Sequence, residues 1–324
     1  MSQRDVRYGV ALRNFTAFDE TPDMDEILSY TLRAEQLGFH SAWAWDHILL
    51  GSKRPFPFLE SLSTLTALAT RTTHIELGTG VLILPLRNPV VLAKVLASLD
   101  RIAKGRLTVG MAAGWYEKEF EAVGVPFTER GRIFVENVKI MKQLWTDDAV
   151  DGTVGPHVFK RVTMLPKPFT PGGPRLLFGG YVDRVLRRTA TYADGWLTYF
   201  YTPQSFARAW AKIRQFAAEL GRDPSTLTNV SQLPICVAPS FEEADARVRS
   251  FIAAYFDMAA WSESTADSAI RGTPEQCAEQ IQQHIAVGER HIVFVPYNYE
   301  HEQLERIAQE ILPLIEPVME RASP

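Results

Sequence analysis

The sequence is poor in cysteine, because its 324 residues contain only Cys236 and Cys277. Two thiols cannot form a disulfide framework or a cysteine-based zinc site, so we expect a protein of a reducing compartment without a metal centre of this kind. Long apolar runs are missing too: no stretch reaches the roughly 18 residues of a membrane span, and the N-terminus lacks an apolar signal core. We therefore expect a cytoplasmic protein that does not contact a membrane.

A large excess of charge of either sign is also missing. The 34 lysines and arginines nearly balance the 38 aspartates and glutamates, for a formal net charge of −4. Proteins that bind nucleic-acid backbones carry a basic excess, so we predict no nucleic-acid partner. Hydrophobic residues make up 46% of the chain, which is enough for one large core or two ordinary ones.

What the sequence does contain is a regular alternation of two patterns. Short apolar runs rich in β-formers alternate with longer stretches in which apolar residues recur at helical spacing. Continuous apolar strands indicate burial on both faces and helical crossovers indicate parallel pairing, so the alternation predicts an α/β fold of the (β/α)8 TIM barrel type. An open doubly wound sheet is the alternative. The predicted strands cover residues 6–12, 39–45, 75–84, 106–111, 175–180, 195–200, 233–238 and 292–296, and the predicted helices cover residues 23–37, 61–72, 89–103, 133–145, 182–192, 203–220, 241–256 and 274–287.

We expect residues 1–324 to form a single barrel domain, because no linker rich in proline or serine divides them. Insertions are expected after the second, fourth and seventh strands, where the connections are too long or too polar to be tight. They cover residues 49–59, 146–174 and 257–272. We predict that residues 257–272 form a mobile lid.

The residues that follow the predicted strands converge at one mouth of such a barrel, where chemistry takes place. These positions are poor in carboxylates and histidines, which argues against a metal centre and against glycoside hydrolysis. The exception is the pair Asp46 and His47 after the second strand. A histidine at a strand end is suited to general acid–base work, so we predict His47 and Asp46 as the catalytic residues and no metal ligands. Packing of His47 at the barrel rim is the alternative.

Glycines and small residues follow several other strands. Glycines between a strand and a helix allow backbone N–H groups to bind a phosphate, and glycines inside a strand mark a bulge or the close approach of another molecule. We therefore predict a site for a flat ring that carries a phosphate, although a bulge needed for barrel closure explains part of the pattern equally well. The predicted cofactor-binding residues are Thr79, Gly80, Val81, Ala112, Ala113, Gly179, Gly180, Tyr181 and Val182, and the predicted substrate pocket contains Asn14, Phe56, Trp115, Tyr199, Tyr201 and Tyr297.

Three stretches, residues 78–131, 175–197 and 271–294, resemble the luciferase-like flavin-dependent oxidoreductases, which are (β/α)8 barrels. The resemblance implies a flavin-type ring at the barrel mouth. Gly80-Val81 matches the place where members carry a non-proline cis peptide, and Gly179, Gly180 and Tyr181 match the segment at the phosphate. In the sugar-phosphate dehydrogenase branch a catalytic glutamate ends the fourth strand, where this sequence has Trp115. This departure leaves any second catalytic acid unidentified.

The resemblance implies three candidate functions. The first, which we prefer, is a monooxygenase that oxygenates a small organic substrate with O2 and reduced FMN from a separate flavin reductase. The second is a hydride-transfer oxidoreductase that uses the deazaflavin coenzyme F-420, because Asp46-His47 matches a pair common in such members. The acidic tail of that coenzyme needs a basic groove, for which Lys53, Arg54 and Arg87 are the candidates. The third is a non-catalytic flavin-binding protein, and for all three a homodimer or tetramer is expected.

Overall fold

The computed structural model describes residues 6–17, 20–51, 55–256 and 263–316 of the chain. The strands are β1 (Arg7–Ala11), β2 (Ser41–Ala44), β3 (Glu76–Ile83), β4 (Leu107–Ala112), β5 (Val150–Val154), β6 (His157–Val162), β7 (Arg175–Gly179), β8 (Gly195–Tyr199), β9 (Thr228–Val237), β10 (Ile270–Gly272) and β11 (His291–Pro296). The helices are α1 (Met24–Gln36), α2 (Ser61–Ala69), α3 (Pro89–Ile102), α4 (Glu117–Val123), α5 (Arg130–Thr146), α6 (Asp183–Tyr192), α7 (Pro203–Glu219), α8 (Phe241–Phe256), α9 (Pro274–Ala286) and α10 (His301–Arg306).

The strand order is that of a closed (β/α)8 barrel. Strands β1, β2, β3, β4, β7, β8, β9 and β11 follow one another in the sheet, β11 pairs with β1, and β10 lies beside β9. This confirms the predicted fold, since each of the eight barrel strands overlaps a predicted run, although β9 begins five residues before the predicted run 233–238. The sequence prediction missed the short helices α4 and α10. None of the helices within the described ranges is long and apolar enough to cross a bilayer.

Two of the predicted insertions contain secondary structure of their own. Residues 146–174 include the antiparallel hairpin of β5 and β6. In the stretch 257–272, residues 263–268 form a 3-10 turn and β10 pairs in parallel with β9. Residues 257–262 lie outside the described part of the chain, as do Lys53 and Arg54 of the first insertion. A lid in the stretch 257–272 and the single-domain organisation stay predictions.

The chain divides into two compact units, the first of which comprises residues 1–13, 25–43 and 180–324. Its strands are buried along most of their length, and Trp196 of β8 packs among residues of α6 and α7. Pairing brings Gly9 of β1 opposite Ser41 of β2, where a Cβ at Gly9 would lie 2.1 Å from the Ser41 Oγ. The thiols of Cys236 and Cys277 are buried, and burial raises their pKa values to about 11 and about 12.

The second unit comprises residues 14–24 and 44–179 and contains β3, β4 and β7 with helices α2 to α5. Helix α3 begins where the Asn88 side chain accepts hydrogen bonds from the next two free backbone N–H groups, after which Pro89 supplies a favourable first residue. Between β4 and α4 the chain turns at Gly114, which has φ +82°. Phe120 of α4 packs with Ile83 in a small core cluster, and α4 ends at Gly124 in a left-handed cap.

The turn at Gly114 should tolerate no side chain. Gly114 and Gly124 have φ values of +82° and +77°, so an alanine at either site pays the cost of a left-handed L-residue, about 1 kcal/mol. At Gly114 the added Cβ would also lie 2.7 Å from Ile83 Cγ2 and 2.8 Å from Phe120 Cε2, whereas nothing lies within 4 Å at Gly124. We expect Gly114→Ala to lower the free energy of unfolding by about 2 kcal/mol more than Gly124→Ala, measured by urea denaturation. Equal losses would contradict this packing of α4.

Candidate active site

Asp46 follows β2 and is buried in a bidentate ion pair with Arg87. Its Oδ1 accepts hydrogen bonds from Arg87 Nη2 at 2.7 Å and Ser61 Oγ at 2.9 Å. Its Oδ2 accepts from Arg87 Nη1 at 2.8 Å and from the backbone N–H of Ile83 at 2.9 Å. The carboxylate thus joins the end of β2 to the first residue of α2, the last residue of β3 and the turn before α3.

Arg87 is as fully engaged as Asp46. The guanidinium also lies 3.1 Å from Glu60 Oε1. Burial lowers the pKa of Arg87, but the charges and hydrogen bonds of Asp46 and Glu60 outweigh burial and raise it overall. With four hydrogen bonds on two oxygens, Asp46 is placed to anchor the neighbouring strand ends, and it has no acceptor site left for a substrate proton.

The imidazole of His47 is held by Glu119 of α4. His47 Nδ1 lies 3.1 Å from Glu119 Oε2, and Glu119 is fully buried. Glu119 Oε1 accepts from the backbone N–H of Leu49 at 3.0 Å and from that of Ile48 in a shorter bond. A carboxylate oxygen accepts hydrogen bonds, so this contact is a hydrogen bond in the ring form that carries its proton on Nδ1.

Sequence reasoning missed Glu119 for a physical reason. The acid was sought at the end of the fourth strand, where Trp115 stands, whereas Glu119 lies one helical turn farther along. Helix α4 has only seven residues, too few for a clear apolar periodicity. The signal that the sequence offered was an acidic residue, Glu119, directly before an apolar one, Phe120, which the structure shows to be buried.

Aromatic rings surround the imidazole of His47. Its centroid lies 5.6 Å from that of Phe58 and 5.9 Å from that of Trp115, both in edge-on arrangements. Trp115 is 39% exposed, so it forms part of the surface beside His47. The structure thus places one predicted pocket residue, Trp115, beside the predicted catalytic histidine. The polar function that remains for a ligand is Nε2, with apolar surface next to it.

Two other predicted pocket residues are buried differently. The Asn14 carboxamide donates to the carbonyls of Trp45 at 2.8 Å and Leu59 at 3.0 Å and accepts from the Trp45 N–H at 2.8 Å. Asn14 is fully buried, and its hydrogen bonds connect the backbone at Trp45 with that at Leu59, which fits a structural role better than contact with a substrate. Phe56 is 7% exposed and packs at 6.4 Å from the ring of Phe15.

The glycine-rich part of β3 is irregular, as the sequence pattern suggested. The Gly80–Val81 peptide is cis, and the pairing of β3 with β4 shifts register between Thr79 and Leu82. Thr79 Oγ1 donates to the carbonyl of Gly110 at 2.7 Å, which fixes the strand before the shift. At the end of β4, Ala112 and Ala113 are half-buried, and Gly179 is the last residue of β7.

In the first unit, the predicted phosphate segment precedes helix α6. Gly180 has φ +130°, and a Cβ there would lie 2.9 Å from Val185 Cγ1. The Gly180 carbonyl accepts from Trp196 Nε1 at 2.9 Å, which fixes the turn. No side chain caps α6 at Val182, so the first N–H groups of the helix are left without a side-chain acceptor. Such a turn is suited to an anion.

The charges near this turn are mixed. Arg184, in the first turn of α6, is exposed and forms no ion pair with any described residue. Burial and the charge of Arg184 lower the pKa of Arg188 one turn later. The acidic Asp183 beside it is paired with Lys212 Nζ at 2.7 Å. Arg184 is therefore a cation available to a ligand at the start of α6.

Three predicted tyrosines lie close enough to influence one another in the first unit. Burial raises the pKa of Tyr199, and Tyr201 and Tyr181 add to the effect. Burial, with a smaller contribution from the charge of Tyr181, raises the pKa of Tyr201 to about 12. The phenols of Tyr199 and Tyr201 stay protonated at neutral pH and can donate hydrogen bonds. Tyr297 is half-buried, and the centroid of its ring lies 5.9 Å from the guanidinium carbon of Arg247.

One polar residue near these tyrosines was not predicted from the sequence. Gln232 of β9 pairs in register with Tyr199 of β8, so the two side chains lie on the same face of the sheet. Gln232 is 1% exposed, and neither atom of its carboxamide has a hydrogen-bond partner among the described residues. Gln232 lies directly before the predicted strand 233–238, in a mostly polar stretch that gave no sign of a buried environment.

A profile of the luciferase-like monooxygenase family matches residues 6–291. The chain belongs to this family. Its members are flavin-dependent monooxygenases or oxidoreductases. The resemblance predicted from three stretches of the sequence is thereby confirmed.

The relatives of this chain differ in their cofactors. An FMNH2-dependent dimethylsulfone monooxygenase from Pseudomonas fluorescens is 25% identical over 322 residues, which cover 89% of this chain and 86% of that protein. An F420-dependent glucose-6-phosphate dehydrogenase from Amycolatopsis mediterranei is 32% identical over 134 residues, 39% of each protein. Other curated relatives, at 31% identity, are matched over only 57% of their length. A solved monooxygenase from Streptomyces bottropensis has the same fold, with a TM-score of 0.81, 22% identity and coverage of 95% of this chain and 99% of that one.

The contacts of Asp46 predict that its charge is needed for stability. In Asp46→Asn the buried Arg87 loses its main counter-charge, and breaking a buried pair costs about 3 kcal/mol or more. We therefore expect the free energy of unfolding to fall by that amount in urea denaturation. Asp148→Asn, which changes an exposed carboxylate, serves as the control and should have little effect. An Asp46→Asn protein as stable as the control would show that the pair is not an anchor.

Proposed function

We propose that this protein is a monooxygenase that uses reduced FMN and O2 to oxygenate a small organic substrate. The observation that carries the choice of cofactor is the supply of cations. The turn from Gly180 to Arg184 offers free helix N–H groups and one unpaired arginine, which matches a single phosphate group. The acidic tail of F-420 needs more positive charge. Of its three candidate cations, Arg87 is bound by Asp46 and Glu60, and Lys53 and Arg54 lie outside the described residues.

We assign the flavin ring to the irregular and small residues of the second unit. Thr79, Gly80 and Val81, together with Ala112 and Ala113, are the residues proposed to leave room for it. When bound, reduced FMN supplies two electrons, so that one atom of O2 enters the substrate and the other leaves as water. Gly179, Gly180, Tyr181 and Val182 are proposed to hold the phosphate end.

His47 is the residue proposed to handle protons. With Nδ1 bound to Glu119, the Nε2 atom is left to exchange a proton with the reacting groups. The rings of Phe58 and Trp115 reduce the access of water to this nitrogen. The apolar surface of Trp115 beside a single polar atom suits a substrate that is largely apolar.

The proposal implies a second protein. Reduced FMN must be produced before it binds, so a separate flavin reductase is the expected partner, as the name of the FMNH2-dependent relative also suggests. Assembly into a homodimer or tetramer stays a prediction.

A second candidate function is hydride transfer between F-420 and an alcohol or ketone. The observation that favours it is the contact between His47 and the buried Glu119. When an alcohol carbon gives up a hydride, its hydroxyl proton must go to a base, and an imidazole oriented by a carboxylate is a suitable base. The F420-dependent relative from Amycolatopsis mediterranei adds support over part of the chain.

The proposed phosphate site can be tested with two flavins. We expect Arg184→Gln to weaken FMN binding about tenfold, the usual worth of a hydrogen bond to a charged group, and to leave riboflavin binding unchanged. Fluorescence titration of both ligands measures the effect. Arg187→Gln changes an arginine of the same helix that pairs with Glu219 at 3.3 Å and should affect neither ligand. An equal loss for FMN and riboflavin would place the phosphate elsewhere.

The choice between the two functions depends on cofactor affinity. We expect anaerobic titration to show binding of reduced FMN at micromolar concentration and much weaker binding of reduced F-420, because the described cations match one phosphate. Binding of F-420 alone would replace the monooxygenase with the hydride-transfer function. Binding of neither would overturn both.

A further inference from the structure

We propose that Glu119 is a positioning residue that selects the tautomer of His47. In this role it keeps the proton of the neutral ring on Nδ1 and leaves Nε2 as the acceptor that faces a ligand. The consequence for turnover rests on the proposed function of His47, whereas the selection of the tautomer does not.

The hydrogen bonds of Glu119 carry the proposal. One oxygen binds Nδ1 of His47, and the other accepts from the backbone N–H groups of Ile48 and Leu49. Glu119 is fully buried, and its carboxylate is contacted by two backbone N–H donors and by the imidazole. A carboxylate accepts hydrogen bonds and has no proton to donate, so the ring nitrogen that it contacts is the donor.

No other group within the described ranges competes for the choice of tautomer. The neighbouring rings of Phe58 and Trp115 restrict the orientation of the imidazole, but an aromatic edge does not distinguish a protonated ring nitrogen from an unprotonated one strongly. Apart from Glu119, no described residue forms a hydrogen bond with the His47 ring. Selection of the tautomer therefore depends on Glu119.

The same carboxylate connects the imidazole to the chain that follows β2. Its contacts with Ile48 and Leu49 fix the backbone directly after His47, so the ring and its attachment are held by one group. A group that orients a histidine and fixes its tautomer raises the fraction of molecules that are ready to react. This is the work expected of a positioning residue rather than of one that touches the substrate.

Glu119→Gln is expected to change the tautomer of His47 and to leave the position of its ring unchanged. The carboxamide oxygen can still accept from the two backbone N–H groups, and its NH2 group then faces Nδ1 as a donor. Nδ1 must become the acceptor, so the proton moves to Nε2. Glu117→Gln and Glu121→Gln change exposed glutamates of the same helix and serve as matched controls.

The primary measurement is 15N NMR of the histidine rings in the protein without ligand, with the signals of His47 assigned from His47→Gln. We expect protonated Nδ1 in the wild type and both controls, and protonated Nε2 in Glu119→Gln. A neutral His47 ring that carries its proton on Nε2 in the wild type would overturn the proposal even if Glu119→Gln did not fold. An unchanged tautomer in a folded Glu119→Gln would overturn it as well.

A second measurement distinguishes this proposal from the proposed function. The rate at which O2 reoxidises FMN in the protein, loaded with reduced FMN and followed by flavin absorbance, should change at least tenfold in Glu119→Gln and His47→Gln, an effect typical of a lost acid–base group. The controls should match the wild type. An inverted tautomer with an unchanged rate would leave the positioning role of Glu119 intact and remove His47 from the proposed chemistry. A changed rate without an inverted tautomer would overturn the role of Glu119 alone.

Discussion

The ion pair between Asp46 and Arg87 is the interaction on which the geometry around His47 depends. It joins the segment after β2 to the last residue of β3, the first residue of α2 and the turn before α3, so four parts of the chain meet at one carboxylate. His47 is the next residue along the chain, and its backbone cannot move independently of that anchor. Two adjacent residues thus differ in their contacts: the Asp46 carboxylate is fully occupied by protein groups, and the His47 ring has one nitrogen without a hydrogen-bond partner among the described residues.

The barrel could be predicted from the sequence because its signals are local. Each barrel strand contains or overlaps a short run rich in apolar residues, and the longer helices repeat apolar residues at helical spacing. The order of elements is therefore readable before the fold is known. Helix α4 has no such signal in its seven residues. The cis peptide at Gly80–Val81 was expected only through the family resemblance.

The partners of the site residues could not be predicted, since they are distant in sequence. Arg87 lies 41 residues after Asp46, and Glu119 lies 72 residues after His47. Sequence position made Asp46 a candidate for catalysis and Arg87 a candidate for cofactor binding. That the two side chains form an ion pair with each other is visible only in the folded structure. The unpartnered carboxamide of Gln232 is another case, because an isolated glutamine in a strand gives no information about what faces it.

The two buried cysteines have a consequence for an enzyme that handles oxygen. With thiol pKa values of about 11 and about 12, Cys236 and Cys277 are thiolates in no more than roughly one molecule in ten thousand at pH 7. The thiolate is the form of cysteine that reacts with peroxides. Hydrogen peroxide, which an oxygenase releases when its oxidant is lost before it reaches the substrate, would therefore find little to oxidise at either cysteine. The scarcity and burial of its thiols protect the cysteines of the protein from the by-product of its own proposed reaction.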